Sequence, residues 1–314
     1  LAWRYGDPEA HDLRAAIAAH HGVGPGNIML GEGIDGLLGY LARMMIVPGT
    51  PVVTSLGTYP TFNYHVLGFG GVLRAVPYRD DATAPEALLA AARETAAPLV
   101  YLANPDNPMG GWHSAAAVSA LIDGLPEDAL LCLDEAYADF APPEAVPPLD
   151  VAETRVIRMR TFSKAHGLAG ARIGYAIGHA DLIAAFDRVR NHFGLGTVAQ
   201  AGALAAISDR AWLGEVVARV AEGRERLGEI AAANGLRALP SATNFVTIDC
   251  GRDGAFARRV LAGMTARGVF IRMPFVAPQD RCVRITVGSP AELAIVAEAL
   301  PAALEEAERM VQSG

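Results

Sequence analysis

The sequence predicts an α/β protein with a mostly parallel central sheet, followed by a smaller α+β part. Two observations carry this. From about residue 27 to 208, short apolar runs alternate with helical patterns, as in successive βαβ units. After Asp209 the alternation stops, and strands and helices follow with hairpin-like spacing. The length of 314 residues is itself a prior for about two domains. The expected division is an N-terminal segment, 1–21, a large domain, 22–208, and a small domain, 209–314.

The elements follow in order. Residues 27–30 read as a short strand that runs into a glycine turn and a helix ending at Met45. Residues 52–55, 72–76, 99–103, 130–133, 156–160 and 172–177 read as further strands. Between them, 85–94, 115–122 and 182–190 read as helices. A long amphipathic stretch, 212–233, ends at Asn234-Gly235, a helix stop signal. A strand at 245–249, a helix at 255–266, strands at 269–272 and 282–287, and a last helix from Pro290 complete the chain. In such sheets ligands bind beyond the strand C-termini, which directs attention to the polar loops after Ala103, Leu133 and Arg160.

Composition narrows the function. The chain is 52% hydrophobic and 19% charged, ample for a large core. A net charge of −8 argues against nucleic-acid or anionic-membrane partners. No apolar run reaches the length of a membrane span. Cys132, Cys250 and Cys282, far apart and odd in number, read as buried thiols of a reducing compartment, here the cytoplasm. No C-x-x-C or His/Cys/Asp cluster predicts a metal site. No signal peptide is visible, although Leu1 is not an initiator methionine and leaves targeting open.

One residue stands out. Lys164 is the only lysine, and every other residue of the 26 Lys+Arg is arginine. Arginine supplies charge as well as lysine does, but its guanidinium cannot act as an amine nucleophile. Lys164 lies in Thr161-Phe162-Ser163-Lys164, with Arg172 eight residues on. Those are the parts of a Schiff-base lysine beside a phosphate site. The alternative is compositional: an arginine-biased chain leaves an accidental last lysine.

The other candidates have structural alternatives too. Gly31-Glu-Gly-Ile-Asp-Gly36 matches G-x-G-x-x-G, but residues 51–58 hold no Asp or Glu for a ribose, so a dinucleotide is rejected. What survives is a helix N-terminus able to cradle one phosphate, or a plain tight turn. Asn107, in Asn104-Pro-Asp-Asn-Pro-Met-Gly110, aims an amide at a ligand or belongs to ordinary turn chemistry. Asp134, at the end of an apolar strand, can hold a cofactor nitrogen protonated, or cap a helix. Tyr137 can donate to a phenolate oxygen. Tyr59 can stack on a ring, or pack in the core. Arg284, inside an apolar strand, seeks a carboxylate or phosphate, or an internal ion pair. Glu135, Asp139, His20, His21 and His166 read as structural or solvated.

Taken together and in this order, the glycine turn, Tyr59, N-P-D-N-P-M-G, D-E-A-Y, T-F-S-K with Arg172, and R-I-T-V-G resemble the fold-type-I pyridoxal-phosphate-dependent aminotransferases, and among them the histidinol-phosphate aminotransferase group. The resemblance runs from about Tyr5 to the C-terminus. It implies pyridoxal 5′-phosphate bound to Lys164, which also shuttles a proton during turnover. It implies Asp134 at the pyridine nitrogen, Asn107 and Tyr137 at the ring oxygen, and Tyr59 on the ring. Thr161, Ser163, Arg172 and the backbone N–H groups near Ile34 and Asp35 would hold the phosphate. Arg284, helped by Arg272, would bind the substrate anion, and Tyr5 would reach the neighbouring subunit's phosphate in a homodimer with shared sites. The implied reaction moves an amino group from a histidinol-phosphate-like or aromatic donor to a 2-oxo acid. A decarboxylase resembling threonine-phosphate decarboxylase is the alternative. The chain departs from the family at Met109, where threonine is usual, and at Ile34, which loses a hydroxyl contact. Residues 190–195 replace a proline-tyrosine-asparagine pattern, and the family's substrate-covering N-terminal segment has no counterpart.

Overall fold

The computed structural model describes residues 3–312; residues 1–2 and 313–314, the outermost positions of the expected terminal parts, lie outside the described residues. Helix α1 (His11–His21) buries Leu13, Ile17 and Ala18 and stops at Gly22, whose φ of 68° only glycine adopts easily. Strand β1 (Ile28–Gly31) leads into α2 (Gly33–Met45), where Leu37, Leu38, Leu41 and Ala42 form an apolar stripe. Then come β2 (Pro51–Ser55), α3 (Pro60–Gly68), β3 (Val72–Val76), α4 (Pro85–Thr95), β4 (Leu99–Ala103), α5 (Ala115–Gly124) and β5 (Leu130–Asp134). Strands β6 (Val156–Thr161) and β7 (Gly174–Gly178) precede α6 (Ala180–Ala185) and α7 (Thr197–Ser208).

Among the described residues these strands form one seven-stranded sheet, ordered β1-β7-β6-β5-β4-β2-β3. Only β7 runs against its neighbours; the pairs from β6 to β3 are parallel. Alternation along the strands divides the core. Tyr101, Cys132 and Met159 face α2 and α3 through Leu37, Leu41, Phe62 and Val66. Val100, Leu102, Leu131 and Leu133 face α4 and α5 through Leu88, Ala92, Val118 and Leu121. Helices α1 and α7 cover the β1–β7 end. Burying both faces explains why these strands read as unbroken apolar runs.

The second sheet has order β10-β9-β8, from β8 (Arg237–Ala238), β9 (Phe245–Asp249) and β10 (Cys282–Thr286). It packs with α8 (Arg210–Ala233), α9 (Gly254–Ala266) and α10 (Pro290–Gln312) around Leu227, Ile248, Val260, Ile285 and Leu300. Asp209 caps α8 by accepting from the Trp212 N–H.

The structure differs from the sequence-based reading in five places, one of them the short unexpected strand β8. The expected strand at 269–272 shrinks to a single bridge between Arg272 and Arg284, because Pro274 cannot continue a ladder. The helix expected at 182–190 ends at Ala185 and tightens into a 3-10 turn, Phe186–Arg188. Helices α3 and α7 were not expected. Proline at N1 starts α3, and only Phe62 and Val66 anchor its buried face.

Next to Asp134 lies a buried ion-pair network. Glu135, 3% exposed, accepts from Arg158 Nε at 3.0 Å and Arg160 Nε at 2.9 Å. Burial opposes its charge, but Arg160 and Arg158 outweigh that and hold the carboxyl below its ordinary value of 4.5. A depressed pKa contributes stability that is full above that value and is lost as pH falls through the folded-state pKa. Glu135→Gln leaves two guanidiniums inadequately paired. It should cost about 3–5 kcal/mol at neutral pH, read as a lower urea midpoint with an unchanged slope. The deficit should shrink in acid; a pH-independent loss would point to packing instead of charge.

Candidate active site

Parallel register aligns the ends of β4, β5 and β6. Ala103 pairs with Asp134, and Asp134 with Met159. The Asn104–Gly110 loop, Asp134 and the lysine loop therefore emerge side by side at the C-terminal edge of the sheet, the usual ligand position in this architecture. They line one cleft, which brings together Ile34, Asp35, Tyr59, Asn107, Asp134, Tyr137, Thr161, Ser163, Lys164 and Arg172.

Asp134 is 5% exposed, and both its oxygens are engaged. Oδ2 accepts from the Tyr101 hydroxyl at 2.6 Å, and Oδ1 from the Ala136 N–H at 3.0 Å. Burial pushes its pKa up, while these donors and Lys164 pull it down. The helix-cap alternative for Asp134 does not hold: its side chain serves a turn and a tyrosine. Lys164 Nζ lies 5.3 Å from the centre of the Tyr137 ring. Burial, then Arg284 and Arg172, lower the amine below 10.5, against the opposing pull of Asp134. Burial and the two arginines move the amine in the direction of the neutral form that nucleophilic chemistry needs.

The opposite end of the cleft is built for an anion. Arg172 Nη1 donates to the Ala169 carbonyl at 3.1 Å and approaches Ser163 Oγ at 3.5 Å. Thr161 Oγ1 donates to Ser163 Oγ at 2.9 Å. Among the described residues no carboxylate forms an ion pair with Arg172 or Lys164. Gly33 has φ of 76°, and a Cβ there would meet Arg172 Nη2 at 2.6 Å. Glycine is thus required both for the turn and for the guanidinium lying against it. No side chain caps the N-terminus of α2, which leaves its first N–H groups for a ligand. The Asp35 carboxylate instead meets His65 Nε2 at 2.9 Å. Cation, hydroxyls and helix N-terminus at one end, with a carboxylate and an amine at the other, fit pyridoxal 5′-phosphate.

Arg284 arrives from the second sheet. It donates to Asn107 Oδ1, and its guanidinium lies 4.6 Å from the Phe245 ring centre. Its Nε is buried without a hydrogen-bond partner. An internal carboxylate pair, the structural alternative for Arg284, is absent among the described residues. Three candidates do not line the cleft: Arg284, which borders it through Asn107, and two that lie further off. Arg272 is joined to Arg284 through backbone, but its side chain is exposed against Phe270. Tyr5 is 86% exposed and meets Phe193 at 5.2 Å between ring centres.

Sequence reasoning missed two buried residues. Tyr101 lines the cleft, and the one available signal was a phenol inside an apolar strand, which must find a partner. Asp106 accepts from Tyr78 Oη at 2.9 Å and the Met109 N–H at 3.0 Å, and burial raises its pKa to about 6. Its partner Tyr78 lies 28 residues away, so nothing local marked the pair.

This fold and cleft define a fold-type-I, pyridoxal-phosphate-dependent enzyme that works as a transaminase. The chain belongs to the aminotransferase class I and II family, whose model matches residues 2–300. It is 37% identical over 295 residues to histidinol-phosphate aminotransferase 1 of Mesorhizobium japonicum, covering 92% of this chain and 79% of that one. The crystal structure of histidinol-phosphate aminotransferase from Sinorhizobium meliloti in complex with pyridoxal-5′-phosphate superposes with a TM-score of 0.96 at 54% identity, covering 97% and 83% of the two chains. L-threonine-O-3-phosphate decarboxylase from Porphyromonas gingivalis, at 21% identity and a TM-score of 0.82 over 96% and 91%, shares the fold.

Proposed function

We propose that this aminotransferase takes its amino group from a histidinol-phosphate-like donor, or an aromatic one, and passes it to a 2-oxo acid by a ping-pong mechanism. The observation that carries this reading is Arg284. A half-buried guanidinium, its buried Nε without a hydrogen-bond partner, faces the loop beside the lysine cleft and, among the described residues, has no carboxylate of its own. The high identity to two histidinol-phosphate aminotransferases supports the phosphate-bearing donor.

The same reading assigns each residue a role, which the shared cleft supports. When bound, pyridoxal phosphate supplies an electron sink next to the donor's Cα. Lys164 Nζ would anchor the cofactor and serve as the base for the donor's Cα proton. Asp134 would keep the pyridine nitrogen protonated. Asn107 and Tyr137 orient the ring oxygen, and Tyr59 covers the ring face. Thr161, Ser163, Arg172 and the N–H groups of Ile34 and Asp35 take the phosphate. Arg284 would orient the donor by its anion, with Arg272, exposed against Phe270, as the helper that the resemblance implies. In the same reading residues 22–208 and 209–314 act as large and small domains. The N-terminal segment, 1–21, carries Tyr5 towards a second copy of the chain, in a cytoplasmic homodimer. The exposure of Tyr5 supports this, and light scattering at micromolar concentration tests it. Among the described residues no helix is long and apolar enough to cross a membrane.

A donor panel with 2-oxoglutarate tests the substrate. Histidinol phosphate should give the highest kcat/KM, with aromatic amino acids behind it. Arg284→Lys should lower that value by about 2–4 kcal/mol of transition-state binding, because an ammonium cannot reproduce the bidentate fork. Unchanged kinetics for both carboxylate and phosphate donors would remove Arg284 from the anion site. Release of CO2 without any acceptor would select the decarboxylase.

A further inference from the structure

We propose that Tyr101 is a positioning residue that acts through Asp134, orienting its carboxylate and keeping it ionised towards the cofactor's pyridine nitrogen. This rests on the reading that Asp134 pairs with the pyridine nitrogen.

The geometry is specific. Tyr101 sits on β4 and Asp134 at the end of β5, its hydrogen-bonded neighbour. In that register Tyr101 lies opposite Cys132, two residues short of the carboxylate, and the phenol ring spans the offset. Its hydroxyl donates to Oδ2 at 2.6 Å. The ring cannot swing away, because it stacks on Phe62 with centres 4.5 Å apart and planes within 14°. Both rings are buried, at 1% and 0% exposure. A second donor, the Ala136 N–H, fixes Oδ1. The carboxylate plane is therefore set by two rigid donors on opposite oxygens.

The chemistry follows from where a proton resides. A buried carboxylate facing a protonated pyridine competes with the nitrogen for that proton. Burial alone raises the Asp134 pKa and favours a neutral acid, which would leave the ring unprotonated and weaken the electron sink. A donor that bonds the charged carboxylate opposes this. Among the described residues the only such donors are the Tyr101 hydroxyl and the Ala136 N–H. The competing explanation is that Asp134 merely satisfies a buried phenol, which needs a partner in any case. The two differ in which group depends on the other.

The test loads each variant with pyridoxal phosphate labelled with 15N at the ring and follows the nitrogen shift with pH. In Tyr101→Phe the ring nitrogen should lose its proton at a pH lower by about one unit or more, as expected for losing a hydrogen bond to a charged group. kcat should fall roughly tenfold or more by the same conversion, with the donor KM nearly unchanged. In a cycle with Asp134→Asn, the double variant should be no slower than Asp134→Asn alone, because Tyr101 has nothing left to act through. Tyr101→3-fluorotyrosine, a stronger donor of the same shape, should move the titration upward and keeps the test open if the phenylalanine variant folds poorly. A titration unmoved by either substitution, or additive losses in the cycle, overturns the proposal. If Asp134→Asn itself leaves the ring nitrogen titrating as in the wild type, the pairing of Asp134 with the ring fails instead.

Discussion

Lys164→Arg should lower kcat by at least about 10⁴-fold while leaving the thermal transition close to that of the wild type. The substitution keeps a long cationic side chain at a half-buried position, so the fold keeps its volume and charge. It removes the amine that both anchors the cofactor and carries the Cα proton, and a general acid–base role alone is worth about 10²–10⁴. Arginine cannot stand in, since its guanidinium stays protonated at any working pH. Single-turnover absorbance with a saturating donor would measure the loss. The same chain offers a direct chemical check. Borohydride treatment of the wild type loaded with pyridoxal phosphate should place one phosphopyridoxyl mass on the peptide containing Lys164, the only lysine present. The variant should take up none there. A label confined to the amino terminus would refute the assignment of Lys164.

Asp134→Asn is expected to have the second largest effect, a loss of about 10²–10³-fold or more in kcat, the scale on which a preorganised electrostatic contact to a reacting group acts. Asparagine keeps the shape and one acceptor: its carbonyl oxygen can still take the Ala136 N–H, while its NH2 replaces the oxygen that faced Tyr101, whose hydroxyl can turn to accept from it, so folding and cofactor binding should persist. What it lacks is the negative charge that holds the pyridine protonated. Substrate KM should change little, because the contact matters mainly as charge develops. Activity within about threefold of wild type would reduce Asp134 to a structural acceptor, since a lost catalytic charge costs far more.

The two substitutions also probe each other. Asp134 pulls the Lys164 amine up, against burial, Arg284 and Arg172. Removing the carboxylate's charge should therefore lower the Lys164 pKa further.

The sequence by itself determined the class of fold, the order of the strands along the chain and most of the cleft. The reason is local. Each βα unit ends a buried apolar run with polar residues, so Asp134, Thr161 and the Asn107 loop announce their places at strand ends. Lys164 was legible because only one lysine remains in a chain that otherwise uses arginine. The Met109 departure leaves one contact in place, since its backbone N–H, not its side chain, bonds Asp106.

Tertiary structure decided what depends on register and on segments with weak local signals. Helix α7 was invisible because its small alanines show no apolar period, and α1 supplies the surface that makes it a helix. The strand expected at 269–272 shrank to one bridge on the edge of β10 because Pro274 cannot extend the ladder. Arg272 is exposed, whereas Arg284, on a strand paired along its length with β9, is carried to Asn107 from 177 residues away. The Tyr101–Asp134 hydrogen bond exists only because β4 and β5 pair in one register; slipping that pairing by one residue would put the phenol on the other face of the sheet. Asp81, Arg281, Arg237 and Asp249 likewise join the first sheet's loop to the second sheet. Sequence patterns report which face of an element is buried, but which charges meet across 200 residues is set when the sheets pack.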